Sequence, residues 1–499
     1  MSIPSVRFSQ QVYDVLVIGG GINGAAVVNI AAGKGLKVAL LEKNDFASGT
    51  SSKSTKLVHG GLRYLENFEF DLVREALRER YIQLKSVPHL VKPLAFLVPV
   101  YKNDRRPLWM MKLGIFLYDA LSGKYKIDKH RSLSKEEVSR FVPGVKQEDL
   151  TGGVVYYDAQ MDDARLCLEN VLCARGKGAD VANYTEVYEF IKENGKVVGV
   201  KARDVLRKNE FSVRAKRVVC AAGPWARQLL KMDDPQAPEM IRPTKGVHLV
   251  YRPKISDYAL LLQTQQDSRV FFIIPWMGHS LIGTTDTDYE GSPDHVEVTA
   301  EDVDYLLSEA RRVLPQHVFK KEDIATTFAG LRPLVYQKGL ASRVSRKHVF
   351  EETSSGLLFI MGGKYTTYRK IAIECVNKIL NPHKILPSDD YPLYGSGNVS
   401  DSNAEIAKKY GIDGEIVEHL RNKYGTRYKD VLELTKFDVS LKKRICSCHL
   451  NIEAQVVYSI KTEMAATPDD IIWRRLGVGY VPCEIDKYRE VIRYYLPNR

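Results

Sequence analysis

Three glycine-rich stretches carry residue types that could hold a flat, charged ligand or act on it. In the first, Gly19, Gly21 and Gly24 keep the spacing G-x-G-x-x-G. The first glycine allows a tight turn, the second lets backbone approach a pyrophosphate, and the third allows close helix–strand packing. Glu42 follows about 20 residues on, where a carboxylate takes both ribose hydroxyls. An acid at that point argues against a 2′-phosphorylated nicotinamide ligand. In the second stretch, Gly60 and Gly61 stand between His59 and Arg63-Tyr64, a pattern that holds backbone close against something flat or charged. In the third, Gly362-Gly363-Lys364 precedes a helix starting near Thr366, again turning N–H groups toward an anion or a polar ring edge. Imidazole titrates near working pH, so His59 and His248 are the candidates for moving a proton. Arg332, in the turn Gly330-Leu331-Arg332-Pro333, stays protonated and is suited to stabilising an alkoxide.

These groups need elements to position them. Tyr13–Ile18 is a short apolar run fit for a buried parallel strand, followed by an Ala/Val-rich helix and a second strand at Val38–Leu41. The hydroxyl-rich stretch Asn44–Lys56 beside that fold suits phosphate contacts. Helical spacing is predicted for Glu69–Lys85, Asp162–Lys177 and Thr299–Leu314. Glu186–Phe190 and Val197–Ala202 flank Asn194-Gly195, a hairpin signal. Arg217–Ala222 is a buried strand running into Gly223-Pro224-Trp225, and Leu357–Met361 is a strand ending at the third glycine turn. Gly246–Asp288 is strand-rich and predicts a mixed sheet inserted between nucleotide-fold elements. Asp401–Arg499 is mostly polar helical pattern. The expected organisation is a nucleotide-binding fold from about 12–90, 150–235 and 325–385, with insertions about 91–149 and 236–324. A helical domain follows at 388–499. A nicotinamide fold is usually completed in one block, so this spread favours FAD.

A chain of 499 residues with 44% hydrophobic and 27% charged content is that of a globular protein of two or three domains. The net charge of +12 attracts anionic small molecules, lipid or nucleic acid. Seven scattered cysteines without C-x-x-C spacing favour a reducing compartment and no metal site; Cys446-x-Cys448-His449 reads as an incidental thiol pair. No apolar run approaches the roughly 20 residues needed to cross a bilayer. The bulky apolar stretch Pro107–Tyr118 lies between Lys102, Arg105, Arg106 and a later set, Lys124, Lys126, Lys129 and Arg131. That arrangement suits either a membrane interface or a core helix with solvated flanks.

In order, these pieces resemble the FAD-dependent glycerol-3-phosphate dehydrogenases, within the D-amino-acid-oxidase-like flavoproteins. The matching stretches are IGGGINGA (18–25), TSSKSTKLVHGGLRYLE (50–66), DDARL (162–166), AAGPW (221–225), IPWMG (274–278), IGTTD (282–286), GLRPL (330–334) and GGKYTTYRK (362–370). The resemblance implies an α/β two-domain FAD-binding fold, with a Rossmann-type nucleotide site, a mixed-sheet substrate domain and a C-terminal helical domain. It implies oxidation of sn-glycerol 3-phosphate to dihydroxyacetone phosphate, with electrons passed to a membrane quinone by a cytoplasmic enzyme resting on the inner face of the cell membrane. A homodimer is left open. FAD contacts are expected from Gly19, Gly21, Ile22, Asn23, Gly24, Glu42, Lys43, Ser51, Ser52, Gly60, Gly61, Leu62, Val187, Ala222, Gly223, Trp225, Gly363, Lys364 and Thr366. Substrate contacts are expected from Arg63, Tyr64, Arg332 and Lys364, with His59, His248, Arg332 and Lys364 as the catalytic set. A phosphate dianion calls for arginine, whose fork binds oxygens in pairs. No EF-hand loop and no long oxidase-type insertion is present.

Two other classes stay open on the sequence. A 2-hydroxy-acid or amine oxidase needs a carboxylate clamp and no phosphate site. A basic RNA-binding or structural flavoprotein calls for aromatic residues interleaved with cations, and the basic residues here are dispersed, so no nucleic-acid partner is expected.

Overall fold

The computed structural model describes residues 4–265, 269–336, 348–380 and 389–496, without the side chains of residues 4–6, 63, 66 and 67. Val12–Ile18 lies mid-sheet, parallel to Glu210–Cys220 on one side and Val38–Leu41 on the other. Leu357–Gly362 and Asp180–Ala182 extend the parallel set outward. Strand periodicity sends alternate side chains to opposite faces. Val15 and Val17 accordingly pack under the helices Ile22–Gly33, Asp163–Gly176 and Tyr368–Leu380, whereas Leu16 and Ile18 face a second core. That second core is covered by the hairpin Thr185–Glu193 and Lys196–Asp204. Its turn residues Asn194 and Gly195 take positive φ of 50° and 74°, the conformation a tight hairpin needs. The carboxyl ends of the central strands meet where the strand order reverses, the place where open α/β sheets bind ligands.

The second sheet is mostly antiparallel. Its path runs Thr287–Asp288, Ile241–Tyr251, His279–Gly283, Val270–Trp276, Ala259–Gln263, Val91–Tyr101, Leu150–Met161 and Leu57–Val58, with Ile324–Val335 on Ile241–Tyr251. Three strands therefore differ from the expected partition, the short Leu57–Val58 and two long ones. Leu150–Met161 pairs with Val91–Tyr101 over nearly its whole length, and Ile324–Val335 pairs the same way with Ile241–Tyr251. Both are apolar runs, and hydrophobicity alone does not say which sheet a strand joins.

The C-terminal region is helical, with helices Asn403–Tyr410, Gly414–Tyr424, Tyr428–Phe437, Glu453–Lys461 and Ile485–Tyr495 around two cores of its own. The expected boundary at 387/388 lies outside the described residues. A buried ionic seam docks this region on the first sheet's side. Arg474 and Arg475 reach Asp45 at 2.5 and 2.7 Å, and Arg165 reaches Glu463 at 2.5 Å. The two arginines hold the Asp45 carboxyl below its usual range against a desolvation that raises it. Tyr480 donates to the Ser52 carbonyl at 3.2 Å. Lys56, buried and paired with Asp163 at 2.7 Å, lies over the rings of Trp276, Phe328 and Tyr480. Among the described residues no helix is long and apolar enough to cross a membrane.

Candidate active site

A cleft of about 1130 Å³ runs between the two sheets, larger than the roughly 300–1,000 Å³ of pockets for drug-sized ligands. One end is built from the glycine turns. Gly19 has φ of 107°, and a Cβ there would meet the Ala221 carbonyl oxygen at 2.7 Å. A Cβ at Gly24 would lie 1.9 Å from the Gly19 carbonyl oxygen. The helix thus approaches the strand as closely as backbone permits, and its N-terminus opens on the cleft. Glu42 accepts from the backbone N–H of Gly20 at 2.6 Å and of Asn44 at 2.8 Å, and burial pushes its carboxyl above the usual range. Ser51 Oγ accepts from Ile22 N–H at 2.9 Å. Asn23 Oδ1 is buried without a partner. Lys43 and the Trp225 ring N–H both reach Asp294, at 2.5 and 2.8 Å, and Lys43 lies over the Trp225 ring.

The other end is made of side chains from distant strands. His248 is 2% exposed. It stacks on Phe328 at 4.9 Å and its Nε2 sits 3.0 Å from Thr55 Oγ1, while its Nδ1 is buried with no hydrogen-bond partner. Burial first, then the charges of Arg332 and Lys56, push its pKa well below the usual histidine value. Arg332 donates to Asp286 at 3.0 Å, Thr284 Oγ1 at 2.7 Å and the Thr285 carbonyl at 3.1 Å. A Cβ at Gly246 on the facing strand would sit 2.3 Å from the guanidinium, so that glycine makes room for it. Lys364 lies 3.5 Å over the Tyr64 ring. The backbone N–H of His59 donates to Thr366 Oγ1 at 3.2 Å, which ties the second glycine turn to the third.

Most expected residues line this cleft: Gly19, Gly21, Ile22, Asn23, Glu42, Lys43, Ser51, His59, Gly61, Leu62, Tyr64, Val187, Ala222, Gly223, Trp225, His248, Arg332, Gly363, Lys364 and Thr366. Three other expected FAD contacts do not line the cleft. Gly24 packs behind the turn against Gly19. The Ser52 carbonyl turns away to Lys56 and Tyr480. Gly60 lies against Tyr118, whose hydroxyl a Cβ would meet at 2.2 Å, and its N–H donates to the buried Asp158. The Arg63 side chain lies outside the described residues. Sequence reading missed Lys53, Thr55, Arg269 and Asp286, all of which line the cleft. Lys53 and Thr55 lay inside the hydroxyl-rich stretch already singled out, and Asp286 closes the matching stretch IGTTD; Arg269 had no local pattern to mark it.

The residues present fit a bound dinucleotide: two glycines admit no side chain, a helix N-terminus faces the cleft, and a half-buried carboxylate and amide stand beside it. The family of FAD dependent oxidoreductases matches residues 14–369, and the C-terminal domain of alpha-glycerophosphate oxidase matches residues 387–493. Glycerol-3-phosphate dehydrogenase of Synechocystis is 39% identical over 493 residues, covering 94% of this chain and 89% of that one. The aerobic glycerol-3-phosphate dehydrogenase of Staphylococcus aureus is 38% identical over 488 residues, covering 94% and 87%. Among solved structures, the Bacillus halodurans glycerol-3-phosphate dehydrogenase complexed with FAD superposes with a TM-score of 0.80 at 31% identity, over 99% of this chain and 92% of that one. The L-alpha-glycerophosphate oxidase of Mycoplasma pneumoniae, at 17% identity and a TM-score of 0.58 over 76% of this chain and 100% of that one, shares the fold. The chain belongs to the FAD-dependent glycerol-3-phosphate dehydrogenase family, with FAD as its cofactor.

Proposed function

We propose that this enzyme oxidises sn-glycerol 3-phosphate to dihydroxyacetone phosphate and passes the electrons to a membrane quinone. The observation that supports the substrate most directly is the junction of a neutral, half-satisfied imidazole with a cationic set at one end of the cleft. FAD, held by the glycine turns and Glu42, supplies the acceptor for the hydride leaving the secondary carbon. His248, whose Nε2 shares a hydrogen bond with Thr55 at 3.0 Å, takes the hydroxyl proton. The dianionic phosphate is held by the combined charge of Arg332, Lys364 and Arg269, with Arg332 aimed by Asp286 and Thr284. Its charge offsets the field of Arg332 that depresses His248, so substrate binding strengthens the base that the reaction needs. His59 serves by fixing the second glycine turn through Thr366.

Anaerobic addition of substrate, followed by flavin absorbance, tests this. Glycerol 3-phosphate bleaches the flavin, and glycerol does so about a hundredfold to ten-thousandfold less efficiently, since it forgoes two charge-assisted hydrogen bonds of about 1.5–3 kcal/mol each. Equal efficiency refutes the phosphate site.

For the quinone, the supporting feature is the helix Leu108–Ser122. Its outer face presents Trp109, Met110, Leu113 and Phe116, with Trp109 65% exposed and Phe116 58%, while Ile115 and Tyr118 anchor the inner face. An apolar face at the surface with cations on its flanks rests in the headgroup region of a bilayer. Of the flanking cations, Lys126 is paired with Asp119 at 2.7 Å and Arg131 lies over Phe141; Lys112, Lys124 and Lys129 are exposed. Replacing Trp109, Leu113 and Phe116 by Ser weakens flotation with anionic vesicles at least tenfold, given about 1.5–3 kcal/mol for each apolar side chain withdrawn from water. Activity with a soluble dye is unchanged. Undiminished flotation moves the contact elsewhere.

A further inference from the structure

Far along the helical domain, the fold gathers three cysteines that the sequence keeps apart. Cys446 Sγ and Cys448 Sγ stand 3.3 Å apart, and Cys483 Sγ lies 3.6 and 3.3 Å from them. All three are free thiols. We propose that Cys446, Cys448 and Cys483 form a zinc site that staples the last helix to its domain. Three thiolates about 2.3 Å from a tetrahedral zinc are about 3.8 Å apart, so the triangle needs to open by only a few tenths of an ångström. Iron–sulfur clusters are excluded by the same distances, because their cysteines bind different irons and stand much further apart. Thiolate sulfur with one remaining position suits zinc better than a hard cation.

The surroundings of Cys446 are those of a metal-bound thiolate. Its sulfur accepts from the backbone N–H of His449. Tyr488 lies 3.4 Å away, and because Asn451 Nδ2 already donates to the Tyr488 oxygen at 3.0 Å, the phenol proton is directed at the sulfur. Donors trained on a coordinating sulfur are the usual outer shell of such sites. His449, next to Cys448 in the chain, stands outside the set of mutually close ligand atoms. Its ring hydrogen-bonds the Pro482 carbonyl, and its Nε2 is buried with no partner. The bond therefore comes from Nδ1, which leaves a bare Nε2 lone pair one residue from Cys448. The fourth position falls to water.

The scaffold explains what the metal would do. Residues 444–452 form a closed loop, with the Arg444 guanidinium donating to the Ser447 and His449 carbonyls at 2.8 and 3.0 Å and a bridge joining Arg444 to Ile452. Cys483 stands just ahead of the helix Ile485–Tyr495. Zinc would cross-link that loop to the helix's start, and exposed Cys448 gives the ion its entry. Binding releases the thiol protons to solvent, and no electron moves. The spacing argued against zinc because the third thiol lies 35 residues after Cys448.

The test uses the full-length flavoprotein, purified without a histidine tag from zinc-supplemented cells. Elemental analysis finds one zinc per chain, and X-ray absorption at the zinc edge finds three sulfurs at about 2.3 Å. Cys448→Ser and Cys483→Ser each lose the zinc while FAD content and turnover stay as in the parent, and the thermal midpoint falls to that of the chelator-treated parent. The proposal is overturned by zinc only in traces, by zinc retained in both variants, by copper in its place, or by a native mass showing a disulfide among the three.

Discussion

The two ends of the cleft are built by different means. At the cofactor end the contacts are made by backbone: a turn at Gly19, a helix start, and a carboxylate that caps the Gly20 N–H. At the reactive end they are made by side chains whose strands arrive from far apart, with His248 on Ile241–Tyr251 and Arg332 on the paired Ile324–Val335. The first end is sterically closed, since a single added carbon meets backbone at 1.9 Å. The second keeps one group in reserve, an imidazole nitrogen without a partner. A cofactor that stays bound through every turnover is served by the rigid construction. A substrate that enters, loses a proton and leaves is served by the other.

Substitution at each end breaks this contrast or sharpens it. The largest effect is expected from Gly24→Val. With its Cβ driven into the Gly19 carbonyl, the helix cannot seat, overpacking of this kind costing about 1–3 kcal/mol or more, and the protein is recovered colourless or insoluble. A yellow, active Gly24→Val protein, judged by flavin absorbance after desalting, would show that the cofactor end is not closed.

Arg332→Lys keeps the charge and loses the paired fork. The expected result is kcat/KM lower by about ten- to a hundredfold for each charge-assisted bond lost, with FAD content unchanged. Flavin loss in this variant would mean the two ends are one unit.

A third effect concerns pH. His248 has its pKa lowered in the fold, so it binds fewer protons than the unfolded chain below the ordinary value of about 6.5. Its contribution to stability is therefore present above that pH and is lost as pH falls toward the folded value. The acid limb of kcat/KM is expected below pH 6.5. His248→Gln removes that limb, lowers kcat by about a hundredfold to ten-thousandfold, and flattens the fall of the urea midpoint between neutral and acid pH. An unshifted limb would transfer the proton acceptor to His59.

The sequence by itself determined the nucleotide end: Gly19, Gly21, Gly24 and Glu42 sit within one strand–turn–helix–strand unit, where short-range geometry fixes what each residue must do. The local hairpin at Asn194-Gly195 and the helices Asp163–Gly176 and Ala300–Val313 were legible for the same reason, being set by turn chemistry and by caps at Asp162 and Thr299. Only the tertiary structure decided which sheet Leu150–Met161 and Ile324–Val335 would join, that Arg269 and Asp286 would stand beside Arg332, and that Cys483 would meet Cys446 and Cys448. It also set the seam in which Asp45 is held by Arg474 and Arg475. In each case the partners are separated by long stretches of chain, and a strand's apolar pattern specifies burial without naming the neighbour it is buried against.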